Sequence, residues 1–379
     1  MEIESIEAHL HSGQFSELVF VLVRTDDPEI WGWGECTLPG KPYAVMGAVR
    51  DAARLVLGAD MRSIRQIWER AYRHGYWRGG AVETSALSGI DIALWDIAAK
   101  IAGVPVHSLL GGAVRSSIRT YANCGLSTDP DELARRARAA VQTGARIVKF
   151  YPLPPTESQP ATQLVSQVYD CCAAVREAIG PDVDFALDFH GRPQAHAAVA
   201  IERAVRDLKP LWIEEPVPVE DETALAEARR HFQTPMAVGE RLYTRWQFKR
   251  VLELHLADII QPDVGNAGGL SEMRVLADMA ETSSVVFNPH SPNGLVHTAA
   301  SLHASAIAQT FGALEFRPSR DREDGIYTHE ADDMAADGAF PLPQRTGLGL
   351  GVRPDRLAFD PARVPVLSEW SSDGTPRDW

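Results

Sequence analysis

From about Tyr121 to Glu315, short apolar runs alternate with longer stretches whose apolar residues recur every three or four positions. The first kind reads as a buried parallel strand, the second as a helix with one face on a core. Strands are expected at 119–122, 147–150, 185–188, 211–214, 236–240, 259–263, 285–288 and 313–315. Helices are expected between them at 129–144, 164–179, 194–207, 221–231, 245–254, 270–282 and 296–308. The first of these carries its own start signal, Asp129-Pro-Asp-Glu, with an N-cap, a proline at the first helical position and acids in the first turn. Eight strands and seven intervening helices in alternation favour a barrel over an open sheet, and no Gly-rich phosphate turn follows the first strand.

The first 115 or so residues have a different texture. Strand-like runs at Ile3–His9, Leu18–Arg24 and Trp31–Glu35 come first, and helical patterns follow. From Glu83 to Ile101 the apolar positions Ala86, Ile90, Ala93, Leu94, Ile97 and Ile101 form a 3.6-residue stripe, closed by Gly103 with Pro105 beyond. The fold class expected is therefore α/β: a modified TIM barrel, (β/α)7β, with an N-terminal α+β capping domain. The boundaries read are 1–118 for the cap, 119–325 for the barrel and 326–379 for a Gly-, Pro- and Asp-rich segment that packs back on the cap.

Composition narrows the partners. With 37 basic against 51 acidic residues the net charge is -14, and no basic run of nucleic-acid-binding length occurs. No apolar stretch approaches a membrane span, and the start Met-Glu-Ile-Glu-Ser lacks the basic and apolar regions of a secretory leader. The four cysteines, two of them adjacent, show no disulfide or zinc spacing. A cytoplasmic protein with neither nucleic-acid nor membrane partner is expected.

The chemistry lies at the strand ends. Asp188, Glu214 and Glu240 stand 26 residues apart each time, each at the end of an apolar run, and Asp263 follows in the same way. The C-terminal tips of parallel strands are where a barrel gathers its functional groups. Taken singly, each acid reads better as a helix cap or an arginine partner; three at this spacing favour convergence on a hard divalent cation, Mg2+, and the oxygen-only set disfavours zinc. His190, two residues past Asp188, shares its face if the chain stays extended, though alone it reads as a surface histidine. His290 ends the seventh strand beside the tip bearing Asp263; the pair reads equally as an oriented base or as a structural hydrogen bond in a Pro-rich turn. Lys149 tips the second strand, either to stabilise developing negative charge or as a solvated strand-end lysine. Glu315, on the eighth, reads as a contact to a substrate carboxylate or as structural.

These residues sit in strings that resemble the enolase superfamily, in its mandelate racemase subgroup, over essentially the whole chain. In the cap the strings are Gly32-Trp-Gly-Glu35, Tyr76-Trp-Arg-Gly-Gly80, the run from Gly89 to Asp96, and Leu109-Leu-Gly-Gly112. In the barrel they are Asp188-Phe-His-Gly-Arg192, Ile213-Glu-Glu-Pro216, Gly239-Glu-Arg-Leu-Tyr243, Gln261-Pro-Asp263, Ala267-Gly-Gly269 and Pro289-His290. Within the subgroup the match is to dehydratases of galactonate-like sugar acids. The resemblance implies Asp188, Glu214 (rather than Glu215) and Glu240 as Mg2+ ligands, His290 as base with Asp263 orienting it, His190 as acid and Lys149 beside the ene-diolate. It also implies Glu315, Arg78 and Tyr151 at the substrate, a small-molecule sugar acid, and a homo-oligomer.

Tyr151 stands where racemases and lactonising relatives carry the second lysine of Lys-x-Lys, and a tyrosine, with pKa near ~10, is a poor second base at neutral pH. Dehydration needs one base and one acid, which the chain has. A racemase, epimerase or cycloisomerase on the same scaffold is the second reading, and a non-catalytic ligand-binding relative the third. The segments His9–Phe20 and Leu38–Pro42, with Asn266, depart from the subgroup's text and are expected at the sugar tail.

Overall fold

In the cap, β1 (Ile3–Ser12), β2 (Glu17–Thr25) and β3 (Trp31–Glu35) form an antiparallel sheet in the order β1-β2-β3. The structure is a computed structural model that describes residues 1–13, 17–154, 161–218, 220–317, 325–329 and 337–361. Three helices follow the sheet: α1 (Pro42–Val56), α2 (Ile64–Arg73) and α3 (Ala81–Ala102). The expected stripe of α3 is buried from Ala86 through Ile97, whereas Ile101 is exposed because the helix has run past the sheet it covers. Contact between β3 and α3 is backbone to backbone: a Cβ on Gly34 would lie 1.9 Å from the Gly89 carbonyl oxygen. Only glycine tolerates that approach. Gly103, at φ 69°, ends the helix as expected.

After the short α4 (Val106–Leu109) the barrel runs β4 (Ser117–Leu126), α5 (Pro130–Gln142), β5 (Ile147–Tyr151), α6 (Ala161–Ile179), β6 (Asp184–Asp188), α7 (Ala195–Val205) and β7 (Ile213–Glu214). It continues with α8 (Glu222–His231), β8 (Met236–Val238), α9 (Thr244–Glu253), β9 (Ile259–Ile260), α10 (Gly269–Thr282), β10 (Val286–Phe287), α11 (Leu295–Ile307) and β11 (Leu314–Phe316). Neighbours pair in parallel in the order β10-β9-β8-β7-β6-β5-β4-β11. The two ends meet through a parallel bridge between Phe287 and Phe311 and a 3.1 Å bond from Phe287 N to Thr310 O. All eight expected strands and seven helices are present. Asp129 caps α5 as expected, accepting from Asp131 N at 3.0 Å.

The segment beyond the barrel does two things. β12 (Ala339–Pro341) adds an antiparallel strand at the start of β4, pairing Phe340 with Ile118. Farther on, Gly347 N bonds Val104 O at 3.0 Å, Leu348 N bonds Asp96 Oδ1 at 2.9 Å, and Ser12 N bonds Ala358 O at 2.9 Å, all on the cap. Residues 318–324, 330–336 and 362–379 of the expected barrel end and closing segment lie outside the described residues. No described helix is long and apolar enough to cross a membrane.

One layer of the interior positions the site. Tyr121, Ile147, Ala186, Trp212, Ala237, Ile259 and Ala313 pack together as a buried apolar plug, one from each of seven strand segments. Strand side chains point the same way every second residue. Two residues farther along stand Asn123, Lys149, Asp188, Glu214, Gly239, Gln261 and Glu315. The apolar plug is thus roofed by a polar layer at the C-terminal ends of the strands.

Candidate active site

Lys149 is fully buried in that polar layer. Its ammonium lies 3.2 Å from Asp188 Oδ2 and 3.3 Å from Glu315 Oε1, and it donates to Glu214 Oε1. The second oxygen of Glu214 accepts from Gln261 Nε2 at 2.6 Å and from Trp212 Nε1 at 3.3 Å. At the β8 tip a Cβ on Gly239 would come within 2.8 Å of Gln261 N. The carboxylate is therefore carried one residue later, by Glu240.

Asp188, Glu214 and Glu240 offer ligand oxygens within 4.8 Å of one another. Burial, then the neighbouring Glu240 charge, raise the Asp188 carboxyl to about 6 against the pull of Lys149. Glu214 and Glu240 are raised by the same burial and by the acids around them. Apart from its ion pair with Lys149 at 3.2 Å, the buried Asp188 Oδ2 makes no hydrogen bond. Acids held this close favour a cation among them, and an oxygen-only donor set fits Mg2+. Glu215 is turned away at φ 42°, accepting from Gly239 N at 2.9 Å and pairing with Arg241 at 3.0 Å.

Two imidazoles flank the triad. His290 Nδ1 is 2.7 Å from Asp263 Oδ2, which leaves its Nε2 facing Glu240 Oε2 at 3.2 Å and Glu315 Oε2 at 3.6 Å. Burial alone would lower this imidazole, but the charges of Glu240 and Glu315 and the bond to Asp263 raise it to about 10. Asp263 is buried too, yet His297 and His290 hold its carboxyl well below the usual carboxylate range.

His190 reaches the cluster by a turn rather than along an extended strand. β6 ends at Asp188, His190 takes a left-handed φ of 51°, and its backbone N–H bonds Asp188 Oδ1 at 2.8 Å. The side chain of Asp188 closes the turn and so keeps the ring at hand, with Nε2 3.6 Å from Asp188 Oδ2. The ring packs on Tyr151 at a centroid distance of 4.4 Å. Burial and the Arg192 and Lys149 charges lower His190 to about 3.

Tyr151 hydrogen-bonds Asn123 Nδ2, which also donates to Glu315 Oε1 at 2.5 Å. Burial holds the Tyr151 phenol above its ordinary range, only partly offset by Lys149. Glu315 Oε2 accepts from Ser291 N at 3.1 Å. Nine of the ten residues singled out in the sequence thus come together. Arg78 does not: it lies exposed between α2 and α3, ahead of two glycines at positive φ, and no described contact joins it to the cluster. Asn266, expected at the sugar tail, spends its amide on the cap, donating to Ser85 Oγ at 2.8 Å and Thr37 O at 3.3 Å.

Asn123, Gln261 and Trp212 were not singled out by sequence reasoning, although the two-residue step from the apolar plug points to the first two. His297, on α11, and Glu35, on β3, also escaped it. Glu35 is buried and accepts from Gly294 N at 2.8 Å, His297 N at 3.0 Å and Thr37 Oγ1 at 2.9 Å, tying the cap to the rim of the site.

Residues 132–356 match the family model of the enolase C-terminal-domain-like fold, and residues 3–111 that of the mandelate racemase / muconate lactonizing enzyme N-terminal domain. The D-galactonate dehydratase of Ralstonia nicotianae is 36% identical over 377 residues, covering 95% of this chain and 96% of that protein. A solved structure of a provisionally named dehydratase from Mesorhizobium loti aligns at TM-score 0.89 and 31% identity, covering 94% of this chain and 98% of that one. The 3,6-anhydro-D-galactonate cycloisomerase of Zobellia galactanivorans aligns at TM-score 0.83 and 28% identity, with the same two coverages.

Proposed function

This chain belongs to the mandelate racemase / muconate lactonizing enzyme family of the enolase superfamily, and we propose that it is a Mg2+-dependent dehydratase of galactonate-like sugar acids giving a 2-keto-3-deoxy acid. The observation that carries this is the placement of two imidazoles on different flanks of one acid triad: His290 on its Asp263 bond, His190 on Asp188 and Tyr151. Asp188, Glu214 and Glu240 would hold the ion. When bound, Mg2+ supplies a fixed positive charge against the ene-diolate oxygens.

His290 Nε2 takes the proton from C2, its Nδ1–H fixed on Asp263 so that the basic nitrogen points inward. A cation among the acids would weaken the Glu240 field that holds His290 protonated, bringing it toward a working base. Lys149 adds a buried ammonium beside the developing charge. His190 delivers a proton to the 3-hydroxyl, which leaves as water, and the resulting enol tautomerises to the ketone. Burial and the neighbouring cations make protonated His190 a strong acid, and an anionic substrate offsets the cations in loading it. Tyr151, held protonated, orients rather than exchanges protons, which disfavours two-base racemisation.

A cycloisomerase reading is favoured by the likeness to the Zobellia enzyme, and one experiment separates the two. Purified protein with Mg2+ is screened against aldonates and aldarates, and products are followed by 2-keto-acid derivatisation and mass. A product lighter by one water supports dehydration, an isomer of unchanged mass supports cycloisomerisation, and no product from any acid sugar overturns both. The division into cap (1–118), barrel (119–325) and closing segment (326–379), and a cytoplasmic homo-oligomer without nucleic-acid or membrane partners, complete the reading. Light scattering of the purified protein tests the oligomer.

A further inference from the structure

Four cations stand at the strand tips of the site, Lys149 on β5 and, just past an acid, Arg192, Arg241 and Arg317, and most of them are already engaged. Arg241, next to Glu240, pairs with Glu215 at 3.0 Å. Arg192, four past Asp188, donates to Leu153 O at 2.8 Å. Lys149 is locked among three carboxylates. Arg317, two past Glu315, is placed differently. Its hydrogen bond goes to the Tyr151 hydroxyl rather than to a carboxylate or a carbonyl, within the fields of Glu315 and Asp188, and its Nε, like that of Arg241, is buried with no hydrogen-bond partner.

A buried guanidinium N–H left unpaired is costly, and guanidinium presents a planar fork that matches a carboxylate. Arg317 also has a side. Tyr151, which it faces, packs on His190 at 4.4 Å, whereas His290 lies across the triad on Asp263. If C2 is under His290 and C3 near His190, the carbons beyond C3 leave toward Tyr151 and Arg317. We infer that Arg317 receives the far end of the substrate and selects a second carboxylate there, so that the preferred acid sugars are diacids (aldarates) over the corresponding monoacids (aldonates). This rests on the dehydratase reading and moves its preferred substrate from a galactonate-like aldonate to the corresponding aldarate.

The test compares wild type, R317Q and R317K on a pair of acids of one configuration that differ only in a terminal carboxylate or hydroxymethyl. Wild type is expected to favour the diacid in kcat/KM by roughly 30-fold or more, the scale of one charge-assisted contact, chiefly through KM. In R317Q the diacid should lose most of that factor and the monoacid far less, so that the preference collapses; R317K should keep part of it. A wild type that turns over monoacids as well as diacids, or an R317Q that loses both equally, overturns the inference and leaves the dehydratase standing. Should R317Q fail to fold, R317K decides, since a lysine that keeps the full preference also overturns it. If neither acid is turned over, the dehydratase reading fails, and calorimetric binding with Mg2+ then judges Arg317: a diacid bound no tighter than its monoacid overturns the inference, and one bound tighter in an Arg317-dependent way supports it.

Discussion

His297 Nε2 stands 2.7 Å from Asp263 Oδ1, on the carboxylate whose other oxygen holds His290 Nδ1 at the same distance. Asp263 is thereby gripped on both oxygens, with Gly265 N adding a third bond at 2.8 Å. Its only freedom is to orient His290. Replacing it by asparagine keeps the volume but offers an amide that can donate to the imidazole and stabilise the wrong tautomer. D263N should lower kcat by about 10²–10⁴, the ordinary worth of a general base, with KM little changed. H297N removes only the grip and should cost roughly tenfold in kcat. Steady-state kinetics on any accepted acid sugar checks both, and a D263N enzyme with near-normal kcat would sink the base assignment.

The two imidazoles should be separable. H190N leaves His290 and its carboxylate in place, so proton abstraction at C2 survives while departure of the 3-hydroxyl slows by about 10²–10⁴. In deuterated water the recovered substrate should then carry deuterium at C2, read by NMR or mass. Absence of exchange in H190N, with the protein folded and Mg2+ bound, would mean that the roles are misassigned.

Metal affinity should depend on pH with a definite sign. The Asp188 carboxyl is raised to about 6, and Glu214 and Glu240 are raised as well by burial. Below these values the ligands hold protons that the ion must displace. Mg2+ binding should therefore release protons and tighten as pH climbs from 6 to 8, by up to about tenfold per proton displaced per pH unit. Calorimetry in two buffers of different ionisation enthalpy measures the release directly. A chelator should abolish turnover, and an affinity flat in pH would show that the acids are not the ligands.

Much of this was legible because one physical rule repeats. A βα unit has a nearly constant length, so strand-tip acids recur, and Asp188, Glu214 and Glu240 announced themselves in the spacing alone. Lys149 and Glu315 were legible as strand-tip residues but not as buried ones, because their burial depends on the plug that Tyr121 and Trp212 form beneath them. The face of His190 was anticipated, its turn was not: the side chain of Asp188 captures the backbone two residues on, a local choice that alternation does not encode. His297 and Glu35 were invisible for another reason. Glu35 is 259 and 262 residues from the amides it accepts, and such contacts are set by how the cap docks. Arg78 shows the reverse, a residue whose motif was legible and which no described contact joins to the cluster.

The last prediction concerns stability and a second histidine pair, remote in sequence from the triad. His107 of α4 and His303 of α11 are both buried, with Nδ1 atoms 3.1 Å apart and the His107 backbone N–H 3.2 Å from His303 Nδ1. The His303 nitrogen that would take a proton is thus already an acceptor, and only a backbone bond to Leu348 favours the charged ring. Burial, then the His107 charge, lower His303 to about 3, and burial lowers His107 also. A histidine depressed in the fold binds its proton more readily when unfolded, so its contribution is complete above about pH 6.5 and lost as pH falls toward 3. At pH 5 the loss from His303 alone is about 2 kcal/mol, since ~1.5 pH units below the unfolded value correspond to about 1.4 kcal/mol each. Other buried groups work against it: Asp91, raised to about 7 by burial, favours the fold at lower pH. The measurement is therefore a difference. Urea unfolding of wild type and H303Q at pH 7.5 and 5.0 should show wild type losing about 2 kcal/mol more than the variant. Equal losses in the two proteins would mean that His303 takes up its proton in the fold as easily as in the unfolded chain, and that the buried pair does not oppose its charge.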